Sequence, residues 1–296
     1  MNASGNRQAG GTRHFELTSL WALVLLGSVM ALCAGDGRAQ DTLPRVPTTT
    51  RLSLELNIPA FRLDVRQDGR VIHSYTVAVG MRRYATPTGD FEISNLVWNP
   101  WWYPPDAPWA RNDTVTPPGP RNPMGKAKLS LGGPYFMHGT PAVSSLGKAA
   151  SHGCIRMHND DVIQLAMLAE RYHGAPSIDA VSTAPPGDWS RTRTVRLADP
   201  IAVRIIYELA EVRDSVLIVY PDVYRRASGN RTQHVMDALR RAGVDSAVVS
   251  REALARLLEQ SGNKPARIPL SELHPPVPQD VGPRREAFVC ADPPEK

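Results

Sequence analysis

The sequence predicts a mainly β domain with a small α/β extension at its C-terminal end, and three observations predict it. Apolar and polar residues alternate from Leu52 to Ile58 and again at Phe61, Leu63 and Val65, the period of strands with one buried face. A cysteine in the run Ser151-His152-Gly153-Cys154-Ile155-Arg156-Met157 sits between short apolar stretches of strand length. Helical spacing of apolar residues is confined to one segment behind that cysteine and two near the end of the chain. With 296 residues and 42% hydrophobic content, the chain can bury one good core plus an appendage, and its composition excludes a disordered protein.

Taken in order, Arg7 and Arg13 precede an apolar run from Leu20 to Ala34, and Gly37-Arg38-Ala39 supplies small residues before Gln40. The run is shorter than the roughly 20 residues that span a bilayer, so residues 1–39 read as a secretory signal peptide. Leu32 stands before Cys33 where a lipobox wants a small residue, which argues against lipidation; membrane contact is expected only through an uncleaved signal segment. Residues 40–50, rich in Thr and Pro, read as a linker. The alternating strands follow, with Asp68-Gly69 as a hairpin turn and Val71–Val79 as the returning strand.

Prolines from Pro100 to Pro105 forbid a central strand, so Trp98, Trp101, Trp102 and Trp109 belong to a loop. That loop is expected either to wall a substrate groove, through Trp101 and Trp102, or to form a satellite cluster that stiffens itself. Pro134–Met137 reads as a short buried strand ending at His138, and Ile155 and Met157 as a second strand leaving Cys154. Asn159 is the expected cap of a helix that runs to Tyr172 and stops at Gly174, with Asp160 and Asp161 favoured in its first turn by the dipole. Ala184-Pro185-Pro186-Gly187 breaks the chain; strands are expected at 202–207 and 215–220, and helices at 232–242 and 250–260. The Pro-rich residues 275–296, which contain Cys290, read as a disordered tail.

The chemistry gathers at the cysteine. A thiol attacks a carbonyl as its thiolate and needs a base or positive field nearby, for which His138 and His152 are the candidates. Gly153 removes a side chain where a carbonyl must approach and is expected to leave backbone N–H groups facing an oxyanion. Arg156, two residues on in an extended chain, projects to the same side as Cys154 and is expected to bind a carboxylate or carbonyl; a salt bridge within the protein is the plainer role for it. A zinc site from His138, His152, Cys154 and His158 lacks chelating spacing, and a purely structural Cys154 leaves the flanking motif without a purpose.

These residues resemble the L,D-transpeptidases of the YkuD family: a histidine, then at a distance Ser-His-Gly-Cys. Thr86-Pro87-Thr88-Gly89-Asp90-Phe91 and Asn122-Pro123-Met124-Gly125 match two further blocks in family order. The resemblance covers residues 51 to about 225. It implies a YkuD-like β-sandwich catalytic domain over 51–183, strands closing it over 184–225, and leaves a helical extension over 226–274 outside the family pattern.

As function, it implies an acyltransferase of peptidoglycan that needs no cofactor or metal. Cys154 is then the nucleophile, His138 the base oriented by the Gly139 carbonyl, and His152 and Gly153 part of the oxyanion region. Ser151, Thr140, Arg156, Trp101 and Trp102 are expected to bind substrate. The partners it implies are peptidoglycan stem peptides and, as one kind of acceptor, an outer-membrane lipoprotein, in the periplasm or cell wall. Loss of residues 1–39 leaves a formal charge of +4, too weak a signal for nucleic acid but suited to an anionic wall. An L,D-carboxypeptidase or crosslink hydrolase using water, and a non-catalytic wall-binding module, are the other readings.

Overall fold

In the computed structural model, residues 51–174, 189, 191–227, 230–245 and 249–273 are described. The expected signal peptide, linker, Pro-Pro-Gly break and C-terminal tail, with Cys33 and Cys290, lie outside these residues. Among the described residues no helix is long and apolar enough to cross a membrane.

The chain begins with three antiparallel strands, β1 (Leu52–Asn57), β2 (Arg62–Gln67) and β3 (Arg70–Thr76). Asp68 and Gly69 both take positive φ (50° and 81°) between β2 and β3, a turn whose twist matches that of the flanking strands. Then come β4 (Val79–Gly80), β5 (Gly89–Trp98), β6 (Ala127–Ser130), β7 (Phe136–Gly139), β8 (Ala149–Ser151), β9 (Ile155–Met157) and the long β10 (Arg193–Ile206). Eight of these strands share one sheet in the order β3-β2-β1-β10-β5-β6-β7-β9, while β4 and β8 pair separately. The domain is mainly β, as the alternation predicts, and β10 inserts between β1 and β5 so that the N-terminal meander is joined to the strands of the site.

Helix α1 (Asn159–His173) covers the buried face with Val162, Leu165, Ala166 and Ala169, which recur at helical spacing. Its cap differs from the expected one. His158 is the N-cap and accepts from the Asp160 N–H, whereas the Asn159 side chain turns away to accept from the Lys126 N–H at 2.9 Å.

The extension also differs in its boundaries. β11 (Ala210–Arg213) and β12 (Val216–Val219) pair with β13 (Ala266–Pro269), not with the catalytic sheet, and α2 (Arg231–Arg241) and α3 (Arg251–Gln260) complete a separate core around Leu217, Val219, Val235, Leu239, Leu254 and Leu257. The physical reason is local: Asp214 and Ser215 turn the chain sharply at positive φ, so β11 and β12 make a hairpin whose apolar face matches the two amphipathic helices.

Charges dock this unit onto β2. Arg62 holds Glu211 bidentately at 2.6 and 2.7 Å, Tyr220 donates to the same carboxylate, and Arg213 reaches the buried Asp64 at 3.2 Å. Arg62 and its neighbours hold the Glu211 carboxyl below its usual range against the opposing effect of burial. A depressed folded-state value stabilises above the unfolded value and loses that stabilisation as pH falls through the folded one. Glu211→Gln is therefore expected to cost about 2 kcal/mol near neutral pH, less than a fully buried pair would lose. The gap in melting temperature between wild type and variant should narrow as pH is lowered through the carboxylate range. Thermal melts at several pH values check this; a gap independent of pH would contradict it.

Candidate active site

The site is built on the register of three short strands. Lys128 on β6 pairs with His138 on β7, and His138 pairs with Arg156 on β9, so these residues form one row across the sheet. Ser130 pairs with Phe136, and Cys154, immediately before β9, continues the parallel register opposite Phe136. Strand alternation sends all six side chains to one face while Leu129, Met137, Ile155 and Met157 enter the core. β7 and β9 are parallel neighbours, which is how residues sixteen positions apart in sequence come side by side.

The turn that presents Cys154 is fixed from within and below. Gly153 sits at φ +114°, and a Cβ there would stand 2.9 Å from the Tyr135 ring, so only glycine fits. Its N–H donates to Ser151 Oγ at 3.1 Å, and Ser151 Oγ donates to the Cys154 carbonyl at 2.5 Å. From below, Thr86 Oγ1 donates to the Gly153 carbonyl at 3.0 Å and accepts from the Gly80 N–H at 2.8 Å. Tyr224 completes the knot: its hydroxyl donates to the Gly80 carbonyl at 2.8 Å and accepts from the Thr86 N–H at 3.1 Å.

Cys154 is partly buried, and burial pushes its thiol up, while the Phe136 N–H, Arg156 and Lys128 pull it back towards the thiolate. The thiol donates to the Pro134 carbonyl at 3.6 Å; among the described hydrogen bonds none joins it to a histidine. His138 is buried, and its Nδ1 lies 2.7 Å from the Gly139 carbonyl. Because a carbonyl only accepts, Nδ1 carries the proton in the Gly139 contact, and the Pro123 carbonyl is a second acceptor beside the ring. Burial first, then Arg156 and Lys128, lower the His138 pKa from 6.5 to about 4, so the ring is neutral near pH 7. Gly139 is required by packing, since a Cβ would meet Asn159 Oδ1 at 2.3 Å and Val162 at 3.0 Å.

His152 stacks on Trp109 with ring centres 3.9 Å apart and planes 2° from parallel, and meets the edge of Tyr84 at 4.8 Å. Burial, Arg156 and Arg83 all lower its pKa. Asn122 ties down the loop that carries Trp109 by donating to the Pro100 and Pro117 carbonyls. An open concavity of about 820 Å³, lined by Ser53, Glu55, Arg66, Asp90, Glu92 and Arg204, includes none of these site residues. Among the described residues no three His, Cys, Asp or Glu side chains converge as a metal site would require.

Comparison with known proteins was decisive for the family. Residues 52–194 match YkuD, the L,D-transpeptidase catalytic domain. A Bacillus subtilis protein named putative L,D-transpeptidase YkuD is 36% identical over 138 residues, 46% of this chain and 71% of that protein. The chain belongs to the YkuD family. A probable L,D-transpeptidase ErfK/SrfK of Escherichia coli K12 is 29% identical over 138 residues, 42% of this chain and 44% of its own length. A solved L,D-transpeptidase from Mycobacterium smegmatis is 19% identical with a TM-score of 0.35, covering 52% of this chain and 59% of that one.

Within this YkuD domain the structure brings Cys154, His138, Gly139, Gly153 and Arg156 together and uses other residues differently from expectation. The Gly153 N–H is bound by Ser151, so this glycine serves the turn and is not free to face an oxyanion. The Ser151 hydroxyl donates inside the turn, and Thr140, also buried, accepts from the Ala142 N–H at 3.1 Å. Trp101 stacks on Tyr103 and Trp102 pairs its backbone with Thr116, while the indole stacked on His152 is that of Trp109. Of the residues now seen to matter, Trp109 was legible only as one tryptophan of the Pro-rich loop and Tyr224 only as the end of the Pro221-Asp222-Val223-Tyr224 block, and Lys128 was not singled out. The signal for Lys128 was its place as the charged member of the alternating run Ala127-Lys128-Leu129-Ser130-Leu131.

Tyr224→Phe keeps the ring but leaves the buried Gly80 carbonyl and Thr86 N–H unpaired, at a cost of about 1–3 kcal/mol. Because both groups brace the Gly153 turn, the variant is expected to lose Cys154 reactivity towards a β-lactam at temperatures where it remains folded. Acylation rates beside a thermal melt check this; full reactivity in a destabilised protein would show that the turn holds without Tyr224.

Proposed function

We propose that the protein is an exported peptidoglycan L,D-transpeptidase in which Cys154 carries the acyl group of a tetrapeptide stem. The observation that carries this reading is the parallel seam of β7 and β9, where a thiol and a neutral imidazole oriented by the Gly139 carbonyl share one face. Export is supported by the apolar run 20–34 and the small residues before Gln40.

In this reading the thiol proton passes to His138 Nε2 as Sγ attacks the carbonyl of the third stem residue. The tetrahedral intermediate collapses by breaking the C–N bond, and His138 returns the proton to the departing amine of D-Ala. The resulting thioester is attacked by an acceptor amine, which gives up a proton to the same imidazole, and the C–S bond breaks to regenerate the thiol. The raised thiol and the lowered imidazole argue against a standing thiolate–imidazolium pair, so the proton moves as the carbonyl arrives. Trp109 and Tyr84, packed on His152, supply an apolar rim that limits water beside the thioester.

A β-lactam should add one acyl group to the folded protein, and Cys154→Ala should abolish the adduct by intact mass. His138 must be neutral to accept the proton, and its pKa is lowered to about 4, so the acid limb of acylation should fall near pH 4 and not near 6.5. His138→Ala should remove that limb and recover only at alkaline pH, where the thiol ionises unaided. Rate–pH profiles of both proteins decide this, and a wild-type limb near 6.5 would count against the assignment. Mass analysis of muropeptides tests the acceptor: 3-3 dimers are expected, and tripeptides alone would make the enzyme a hydrolase.

A further inference from the structure

We infer that Lys128 and Arg156 form a carboxylate-binding cradle beside Cys154, which holds an anionic group of the acyl donor next to the sulfur. This deepens the proposed function and rests on it only for the donor's identity. Position comes first: Lys128 and Arg156 flank His138 in one row, on the face that carries Cys154. The Lys128 Nζ stands 4.9 Å from the centre of the Phe136 ring, and Phe136 is the residue opposite Cys154. The amine therefore leans along the strands towards the sulfur.

The second observation is what these cations lack. Both are half-buried, yet among the described residues neither makes an ion pair or a side-chain hydrogen bond, whereas Arg62, Arg66, Arg193, Arg204 and Arg213 all reach carboxylates. Burial lowers the pKa of both, and Cys154 is the group that raises them. Two partly desolvated cations beside the same histidine, with no carboxylate partner among the described residues, carry a desolvation cost that a bound anion offsets. A carboxylate suits the pair, because the guanidinium offers a planar fork and the ammonium a point charge. In the proposed donor such a carboxylate ends the D-amino acid one residue beyond the scissile carbonyl, and the acceptor strand need not carry one there.

The charge preference of Cys154 alkylation tests the cradle. Iodoacetate and iodoacetamide both react with the thiolate, each by displacement of iodide to form a thioether, so any change in thiol ionisation cancels in the ratio of their rates. The wild-type protein is expected to favour iodoacetate over iodoacetamide by about fivefold more than free cysteine does, the effect of roughly 1 kcal/mol of screened attraction. Lys128→Met should reduce the ratio several-fold, Lys128→Arg should restore it, and high salt should erode it in wild type. A wild-type ratio equal to that of free cysteine overturns the cradle without any variant having to fold, as does an unchanged ratio in folded Lys128→Met. Alkylation needs neither peptidoglycan nor an acceptor, so failure of the transpeptidase reading would leave this result standing, and the reverse also holds.

Discussion

The site depends on a backbone-to-backbone contact between two turns. Gly80 lies so close under Gly153 that a Cβ would meet the Tyr84 carbonyl at 2.1 Å and the Gly153 Cα at 3.0 Å. Thr86 stitches the two together, with its hydroxyl between the Gly80 N–H and the Gly153 carbonyl, and Tyr224 closes the remaining valences. Buried polar groups in such a knot must all be satisfied or the knot costs more than it returns. Its members come from three distant parts of the chain, so the geometry of Cys154 is a property of the whole domain.

Tyr224 brings the C-terminal extension into the account. Its N–H donates to the Tyr207 hydroxyl, which in turn donates to Asp222, and the segment leads directly into α2. The Arg62–Glu211 pair anchors the same unit to β2 on another side. The extension is thus tied to the catalytic sheet by charge and to the nucleophile's turn by hydrogen bonds, although its apolar core is separate.

Electrostatically, the face around Cys154 trades thiol acidity for anion affinity. Burial opposes charge on the sulfur, on His138 and on both flanking cations, so this face favours neutral groups where it can and, among the described residues, gives Lys128 and Arg156 no carboxylate. A ligand that brings a negative group would relieve the cations, and one that brings a carbonyl would give the proton of Cys154 a reason to move. The fold places both demands within one row and its neighbour.

The sequence by itself determined the β period of the first strands, the helix behind the cysteine, and the chemical identity of Cys154, His138 and Gly139. These are local matters: alternation, helical spacing and reactive side chains are written in contiguous residues, whereas the cap of that helix fell to His158 because Asn159 was drawn to the Lys126 N–H. Gly153 was legible as special but not in its reason, because whether its N–H faces a ligand or Ser151 depends on a turn held by Thr86. The destinations of the Ser151 and Thr140 hydroxyls, the choice of Trp109 over Trp101 and Trp102, and the capture of β11 and β12 by the extension were decided by tertiary structure alone. Each turns on which distant surfaces a residue meets once the chain has closed, and that depends on sheet register, which no single stretch of sequence contains.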